Sequence, residues 1–310
     1  MIETKQLAKK YGNFEALRGI DLSVGEGDLY GFIGPNGAGK TTTIRILTTL
    51  LEPSSGEATI GGMSVRAEPE AIRGIIGYMP DSFGVYRDMT VLEYLHFFAA
   101  AYAVPQGERQ RLVGQLLELV ELGGKSNATI DTLSRGMQQR LGLARTLVHD
   151  PRVLILDEPA SGLDPRARIE IREILKELRR MGKTIILSSH ILADLAEICN
   201  RIGILERGQL VAQGTIDEVI TSSGEKGEIR IRTTDDARAC VLLRELSAVK
   251  TAEHHEAVQE ISVHLATEID LADLSGHLSG RGVHLRKMER REPTLEQVFM
   301  KLTEVAEQTA

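Results

Sequence analysis

Residues 34 to 41 read Gly34-Pro35-Asn36-Gly37-Ala38-Gly39-Lys40-Thr41 and are followed by Thr42. Glycines at this density allow backbone angles that a side chain forbids, so successive N–H groups can turn inward around phosphate oxygens. Lys40 supplies a point charge for the outer phosphates of a nucleoside triphosphate, and the Thr41 hydroxyl can ligate Mg²⁺. A second pair of chemical groups closes the run Val153-Leu154-Ile155-Leu156-Asp157-Glu158. There Asp157 is placed to hold Mg²⁺, and Glu158, one residue on and pointing elsewhere, to polarise a hydrolytic water. A third segment, Leu133-Ser134-Arg135-Gly136-Met137, opens a helical pattern through Leu141, Ala144, Leu147 and Val148. With Ser134 as N-cap, its hydroxyl, the Gly136 backbone and the helix dipole make a second anion-binding surface.

Such groups need rigid elements behind them. The apolar run Leu29-Tyr30-Gly31-Phe32-Ile33 enters the glycine loop as a strand, and Ile44, Leu47 and Leu50 or Leu51 give the segment that leaves it helical spacing. Residues 153 to 156, uninterruptedly apolar, read as a parallel strand buried on both faces, whose C-terminal edge delivers the two acids. The 310 residues suffice for a large α/β core and a smaller second domain, and 42% hydrophobic with 26% charged is ordinary for a globular chain. The longest apolar stretch, residues 95 to 104, is too short for a bilayer, and the N-terminal residues lack a signal-peptide core, which implies a cytoplasmic chain. A net charge of -7 argues against nucleic acid as the main partner. Cys199 and Cys240 are far apart with no metal-ligand spacing and read as inert buried thiols.

In order and spacing, residues 34 to 41, the Ser134 segment, Asp157-Glu158, Ser161-Gly162-Leu163-Asp164 and Ser188-Ser189-His190 resemble the motifs of ABC-type ATPases over about residues 1 to 220. The resemblance implies a P-loop cassette with an inserted helical subdomain. It makes residues 34 to 42 the ATP-binding loop, Ser134, Arg135, Gly136 and Met137 the signature, Asp157 and Glu158 the acidic pair, Asp164 the D-loop acid and His190 the switch histidine. His190 follows the apolar strand Thr184-Ile185-Ile186-Leu187, where an imidazole can hydrogen-bond a γ-phosphate. Tyr11 matches the aromatic residue that stacks on adenine. The family builds its site between two subunits, the signature of one closing over ATP bound by the other, so one copy of each motif implies a homodimer or heterodimer.

Two positions depart from the commonest pattern. Arg135 replaces a glycine, Met137 replaces a glutamine, and Arg135 is expected to bring charge near the partner subunit's nucleotide. Asp81, in Gly77-Tyr78-Met79-Pro80-Asp81, stands where the family carries glutamine or glutamate, and would share Mg²⁺ with Asp157 and Glu158, directly or through water. Aromatics make up only 4% of the chain, yet residues 82 to 93 lead into a helix bearing Tyr94, Phe97 and Phe98. By resemblance, this is where an integral membrane permease on a separate chain docks.

The expected organisation is an ATP-binding domain over residues 1–221 with its helical subdomain at about 90–149, a linker at 222–227, and an accessory α+β domain over 228–310. The accessory domain alternates as strands at 228–233, 258–265 and 283–288 with helices at 237–246, 271–278 and 294–305, a split βαβ pattern of the ferredoxin-like kind. Pro293-Thr294-Leu295-Glu296-Gln297-Val298-Phe299 resembles the tail of drug, antibiotic and lipid exporter ATPases. The implied function is the ATP-hydrolysing subunit of an exporter, held peripherally on the inner face of the membrane through the permease. The alternative is a soluble ABC ATPase acting on ribosomes or nucleic acid, but such chains carry two cassettes or a long coiled coil, and this one has neither.

Overall fold

A computed structural model describes residues 1–308 apart from 83, 85, 87, 225, 226 and 268, and of 304–308 the backbone alone. The expected docking segment at 82–93 and the linker at 222–227 therefore lie in part outside the described residues, at Phe83, Val85, Arg87, Glu225 and Lys226. The chain divides into two compact units, Met1–Val219 together with residues 306–308, and Ile220–Val305.

The first unit is built on two sheets. One is antiparallel, in the order Phe14–Ile20, Ile2–Tyr11, Ser55–Ile60 and Met63–Ser64, with Ser23–Val24 pairing to Ile2–Tyr11. The other has six strands in the order Gln209–Thr215, Arg201–Glu206, Leu29–Ile33, Thr184–Ser189, Val153–Leu156 and Ile76–Met79. Its last five strands are parallel, and Leu29–Ile33, Thr184–Ser189 and Val153–Leu156 are buried at every position, as strands covered on both faces are. The core between the two sheets gathers Ile2, Tyr30, Phe32, Ile44, Ile46 and Ile155.

The helix after the glycine loop is shorter than its apolar spacing suggests. It spans Lys40–Leu47, Thr49 turns left-handed at φ 60°, and Leu50 is 63% exposed. The inserted helices are Val91–Ala101, Gln106–Leu119 and Arg135–Thr146. The first opens on a capping box: the Thr90 hydroxyl accepts from Glu93 N–H while the Glu93 carboxylate accepts from Thr90 N–H.

In the second unit, strands Glu228–Thr233, Val249–His255, Glu260–Leu265 and Leu285–Arg291 alternate with helices Asp236–Arg244 and Leu271–Ser279 in a β-α-β-β-α-β order. The antiparallel sheet order, second-third-first-fourth, is the ferredoxin-like arrangement. Strand Val249–His255 is absent from the sequence-based expectation. It is a sheet edge in which only Ala252 is buried, so it carries no apolar alternation to read. Among the described residues, no helix is long and apolar enough to cross a membrane.

Candidate functional site

Register brings the separate motifs together at one sheet edge. Ile33 lies beside Ser189 across the parallel pair, so the glycine loop leaving Ile33 and His190 leaving Ser189 emerge side by side. On the other flank Leu156 pairs with Leu187, which places Asp157 next to Ser188. The Ser188 hydroxyl donates to Asp157 Oδ1 at 2.7 Å and accepts from the Glu158 N–H at 2.8 Å. Asp157 N–H in turn donates to the Met79 carbonyl at 2.8 Å.

Glu158 is held in an uncommon backbone conformation, φ 51°. A left-handed angle at a glutamate is a strain that the surroundings must hold, and the Ser188 bond is one restraint. The turn directs the carboxylate across the site. Its Oε2 lies 2.8 Å from His190 Nδ1 and its Oε1 3.9 Å from Lys40 Nζ. Lys40 is itself buried, its ammonium donating to the Gly34 carbonyl at 2.5 Å and the Pro35 carbonyl at 3.2 Å. Burial lowers its pKa, opposed by the charges of Glu158 and Asp157.

The loop fits a polyphosphate. A Cβ on Gly34 would stand 2.4 Å from the Leu205 carbonyl oxygen, while Gly37 and Gly39 adopt φ 84° and 112°. In the helix it opens, Thr43 N–H donates to the Gly39 carbonyl, and the helical N–H groups ahead of Thr43 have no intrahelical acceptor. Thr41 and Thr42 line the mouth of the resulting 320 Å³ pocket with Asn36, Gly39, Asp157 and Glu158. Ala38 is buried beneath the loop, and Pro35 and Gly37 line the pocket. Asp81 is exposed and lines it too, yet among the described residues no three His, Cys, Asp or Glu side chains converge to hold a metal. A three-carboxylate cage is therefore not what this edge offers. It offers the Thr41 hydroxyl and the Asp157 carboxylate, which suits Mg²⁺, an ion that takes one or two protein ligands and completes its shell with phosphates and water.

Tyr11 lines the same pocket and is 46% exposed. Hairpin register sets Phe14 directly opposite it, 62% exposed and also lining the pocket, which adds a second aromatic wall that sequence reading missed. Ser188 was named only as part of the His190 motif, since a serine inside a strand carries no local signal of the role its hydroxyl takes here.

The signature lies elsewhere, outside the lining of this pocket. Ser134 caps helix Arg135–Thr146, its hydroxyl accepting from Met137 N–H at 3.3 Å, and Gly136 packs so closely that an added Cβ would meet Ala167 Cβ at 2.8 Å. Asp164 caps helix Pro165–Arg180 by accepting from Arg166 and Ala167 N–H at 3.0 Å each. Arg135, expected to bring charge near the partner subunit's nucleotide, lies in this single chain with its guanidinium over Gly162. A Cβ on that glycine, at φ 66°, would stand 2.7 Å from the guanidinium carbon.

A glycine-loop helix and an acidic pair at the C-terminal edge of a parallel sheet define a P-loop nucleoside triphosphatase. Comparison with known proteins sharpens the class. Residues 17–161 match the family described as ABC transporter, and residues 214–303 that described as ATP-binding protein DrrA1-3-like, C-terminal domain. The linearmycin resistance ATP-binding protein LnrL of Bacillus subtilis is 32% identical over 98% of this chain and 98% of its own length. The Nod factor export ATP-binding protein I of Burkholderia orbicola is 37% identical over 97% and 96%. The daunorubicin resistance ATP-binding protein DrrA3 of Streptomyces coeruleorubidus is 33% identical over 95% and 93%. Among solved structures, an ATP-binding subunit of an ABC transporter superposes with TM-score 0.66 at 32% identity, over 72% of this chain and 93% of that one. A dimeric post-hydrolysis cassette bound to ADP and Pi gives 0.63 at 28%, over 70% and 99%. The chain belongs to the ABC transporter family as an ATP-binding, ATP-hydrolysing cassette.

Proposed function

We propose that this cassette is the motor of an exporter, working as a homodimer or heterodimer with an integral membrane permease carried on another chain. The observation that carries the catalytic part is the contact of Glu158 with both His190 and Lys40 at the mouth of the phosphate loop. Glu158 takes the proton of the attacking water, His190 orients Glu158 and the γ-phosphate, and Lys40 leaves its loop carbonyls for the outer phosphates. Thr41 and Asp157, with Asp81 lining the same pocket, would hold Mg²⁺, which would neutralise the charge that builds on the phosphates. Tyr11, with Phe14 beside it, receives the adenine, and Ser134 to Met137 meet the nucleotide of the partner subunit.

Three features support the transport reading: the family, the relatives named for resistance and export, and a cluster of aromatic rings on helix Val91–Ala101 and the segment before it. Tyr86 and Phe97 lie edge-on at 5.6 Å between centroids, Tyr94 and Phe98 at 4.9 Å, and the Arg145 guanidinium stands 5.3 Å over Phe98. On this reading the cassette, residues 1–221, sits on the inner face of the membrane through its permease, and residues 228–310 form an accessory unit that stabilises or regulates the dimer.

The test is a pull-down of tagged Glu158→Gln protein from native membranes with ATP and Mg²⁺. Recovery of a polytopic membrane protein is the expected result. Recovery of ribosomes or nucleic acid without one would overturn the transport reading.

A further inference from the structure

The two strands whose ends carry the acids and the histidine are neighbours, Leu156 beside Leu187, and each leads on into a helix. Val153–Leu156 continues through Glu158 and Asp164 into Pro165–Arg180, and Thr184–Ser189 continues through His190 into Leu192–Ile198. The 2.8 Å contact of Glu158 with His190 therefore joins two separate segments, and its length depends on where each is anchored. On the strand side the anchor is Ser188, which bonds Asp157 and the Glu158 N–H. The His190 side chain is exposed, so packing does little to hold it, and its place must be set by the backbone on either side.

On the far side of His190 that backbone is helix Leu192–Ile198, a weak anchor by itself. It has seven residues, Ile191 at its cap makes no side-chain bond, and it buries Leu195 and Ile198. A helix this short is marginal without tertiary support. Charge supplies that support to its first turn. Asp194 accepts through Oδ1 from Arg172 at 3.1 Å and through Oδ2 from Arg168 at 3.3 Å, both arginines standing on helix Pro165–Arg180. Arg172 also pairs with Glu197 at 2.7 Å, one turn further along the short helix. The Asp194 and Arg172 side chains are each only 14% exposed, so solvent screens them less than it screens a surface pair. Among the described residues, Asp194 is the acid within ion-pair reach of Arg168. Arg168 N–H in turn donates to the Asp164 carbonyl at 3.1 Å, which ties the cluster to the start of the D-loop helix. The two segments that meet at Glu158 and His190 thus meet again at Arg168 and Asp194.

We propose that Asp194, clamped by Arg168 and Arg172, is a positioning residue for the hydrolytic step: it fixes the helix that follows His190 against the D-loop helix and so keeps the imidazole on Glu158. The proposal rests on the roles given above to Glu158 and His190 and is independent of the exporter reading. Asp194 touches neither nucleotide nor water in this role; it acts through His190 four residues away.

Phosphate release by the full-length protein is followed across ATP concentrations with Mg²⁺, in multiple and in single turnover. Asp194→Asn keeps the shape of the side chain and removes its charge. It should lower kcat about tenfold or more and leave KM for ATP within about twofold, because the Lys40 loop is untouched. Arg168→Gln combined with Arg172→Gln removes the same pairs from the other helix and should give the same loss, so the test does not hang on one variant folding. The discriminating measurement is made on His190→Ala. In that background Asp194→Asn should slow single-turnover release by less than about twofold, since two groups that act through one another are not additive. A cluster that merely stabilises the fold would slow both backgrounds alike. Three results would overturn the proposal: undiminished kcat in Asp194→Asn and in the arginine pair while His190→Ala is slow; a loss that appears as a raised KM with kcat kept; or an equal loss from Asp194→Asn with and without His190. Undiminished turnover by His190→Ala would refute the role given to the histidine itself, and this proposal with it.

Discussion

Replacing Ser188 by alanine should disable the chemistry while sparing nucleotide binding. Ser188 is fully buried and its hydroxyl makes two bonds, to the Asp157 carboxylate at 2.7 Å and from the Glu158 N–H at 2.8 Å. A hydrogen bond to a charged group contributes about 1.5–3 kcal/mol, and a buried donor left without its acceptor costs about 1–3 kcal/mol. Because Glu158 is partly accessible, the second figure falls at its low end, and the sum is roughly 2–4 kcal/mol. Against a folding stability of about 5–15 kcal/mol, the variant still folds. At about 2–4 °C per kcal/mol for a chain of this class, its melting temperature should drop by roughly 5–15 °C. The chemical effect is larger in proportion. Without the Ser188 acceptor, Glu158 loses a restraint on its φ of 51°, and its carboxylate leaves the positions facing His190 and Lys40. Misplacement by about 1 Å can lower turnover on the order of 100-fold. Lys40 is held by Gly34 and Pro35, not by Ser188, so ATP affinity should stay within about twofold. Calorimetry, phosphate release at saturating ATP and Mg²⁺, and equilibrium nucleotide binding separate the three quantities. A Ser188→Ala protein with unaltered melting temperature and unaltered turnover would refute the reasoning.

The parts of this site that could be read from sequence are those whose physics is local. A glycine loop between a strand and a helix, or two carboxylates closing an apolar run, announce themselves because neighbouring residues do the work. What escaped was set by pairing between distant segments. Ser188 acquires its role only when Leu156 lies beside Leu187, and Phe14 reaches the pocket only because the hairpin puts it across from Tyr11. Edge strand Val249–His255 escaped for the converse reason: with most of its side chains in solvent, nothing selects apolar residues at alternate positions. Leu50 kept the helical period but not the helix, since Thr49 takes the left-handed conformation that ends it. Arg135 shows what the position of a motif leaves open. Its identity was legible, but a long side chain on the first turn of a helix can point several ways, and it is the absence of a Cβ on Gly162 that opens the one it takes.

Glu158→Gln should lower steady-state turnover on the order of 100-fold or more and preserve ATP affinity; undiminished phosphate release would remove Glu158 from its role. Gly34→Ala should abolish nucleotide binding or destabilise the fold by about 1–3 kcal/mol or more, because the new Cβ would meet backbone at Leu205 that cannot yield; calorimetry with and without ATP decides. His149 is a base whose folded pKa is lowered from 6.5 by burial, so the unfolded chain binds more protons just below that pH. Its contribution is thus lost as pH falls from 6.5 through the folded pKa, and His149→Phe should flatten that part of the stability profile; an identical slope in the variant would contradict the buried neutral ring. Arg135 supplies the last prediction. Its guanidinium covers Gly162 while Gly136 packs on Ala167, so the signature is joined to the D-loop at one point and to the helix that follows it at another. Arg135→Ala removes one of them and should speed amide hydrogen exchange over residues 160–164 several-fold, in line with loss of one or two contacts of about 1 kcal/mol. ATP affinity at the Lys40 loop should not change, because that guanidinium lies on its own chain's backbone. A variant with unaltered exchange and weakened ATP binding would place the charge on nucleotide instead, as the motif alone implied.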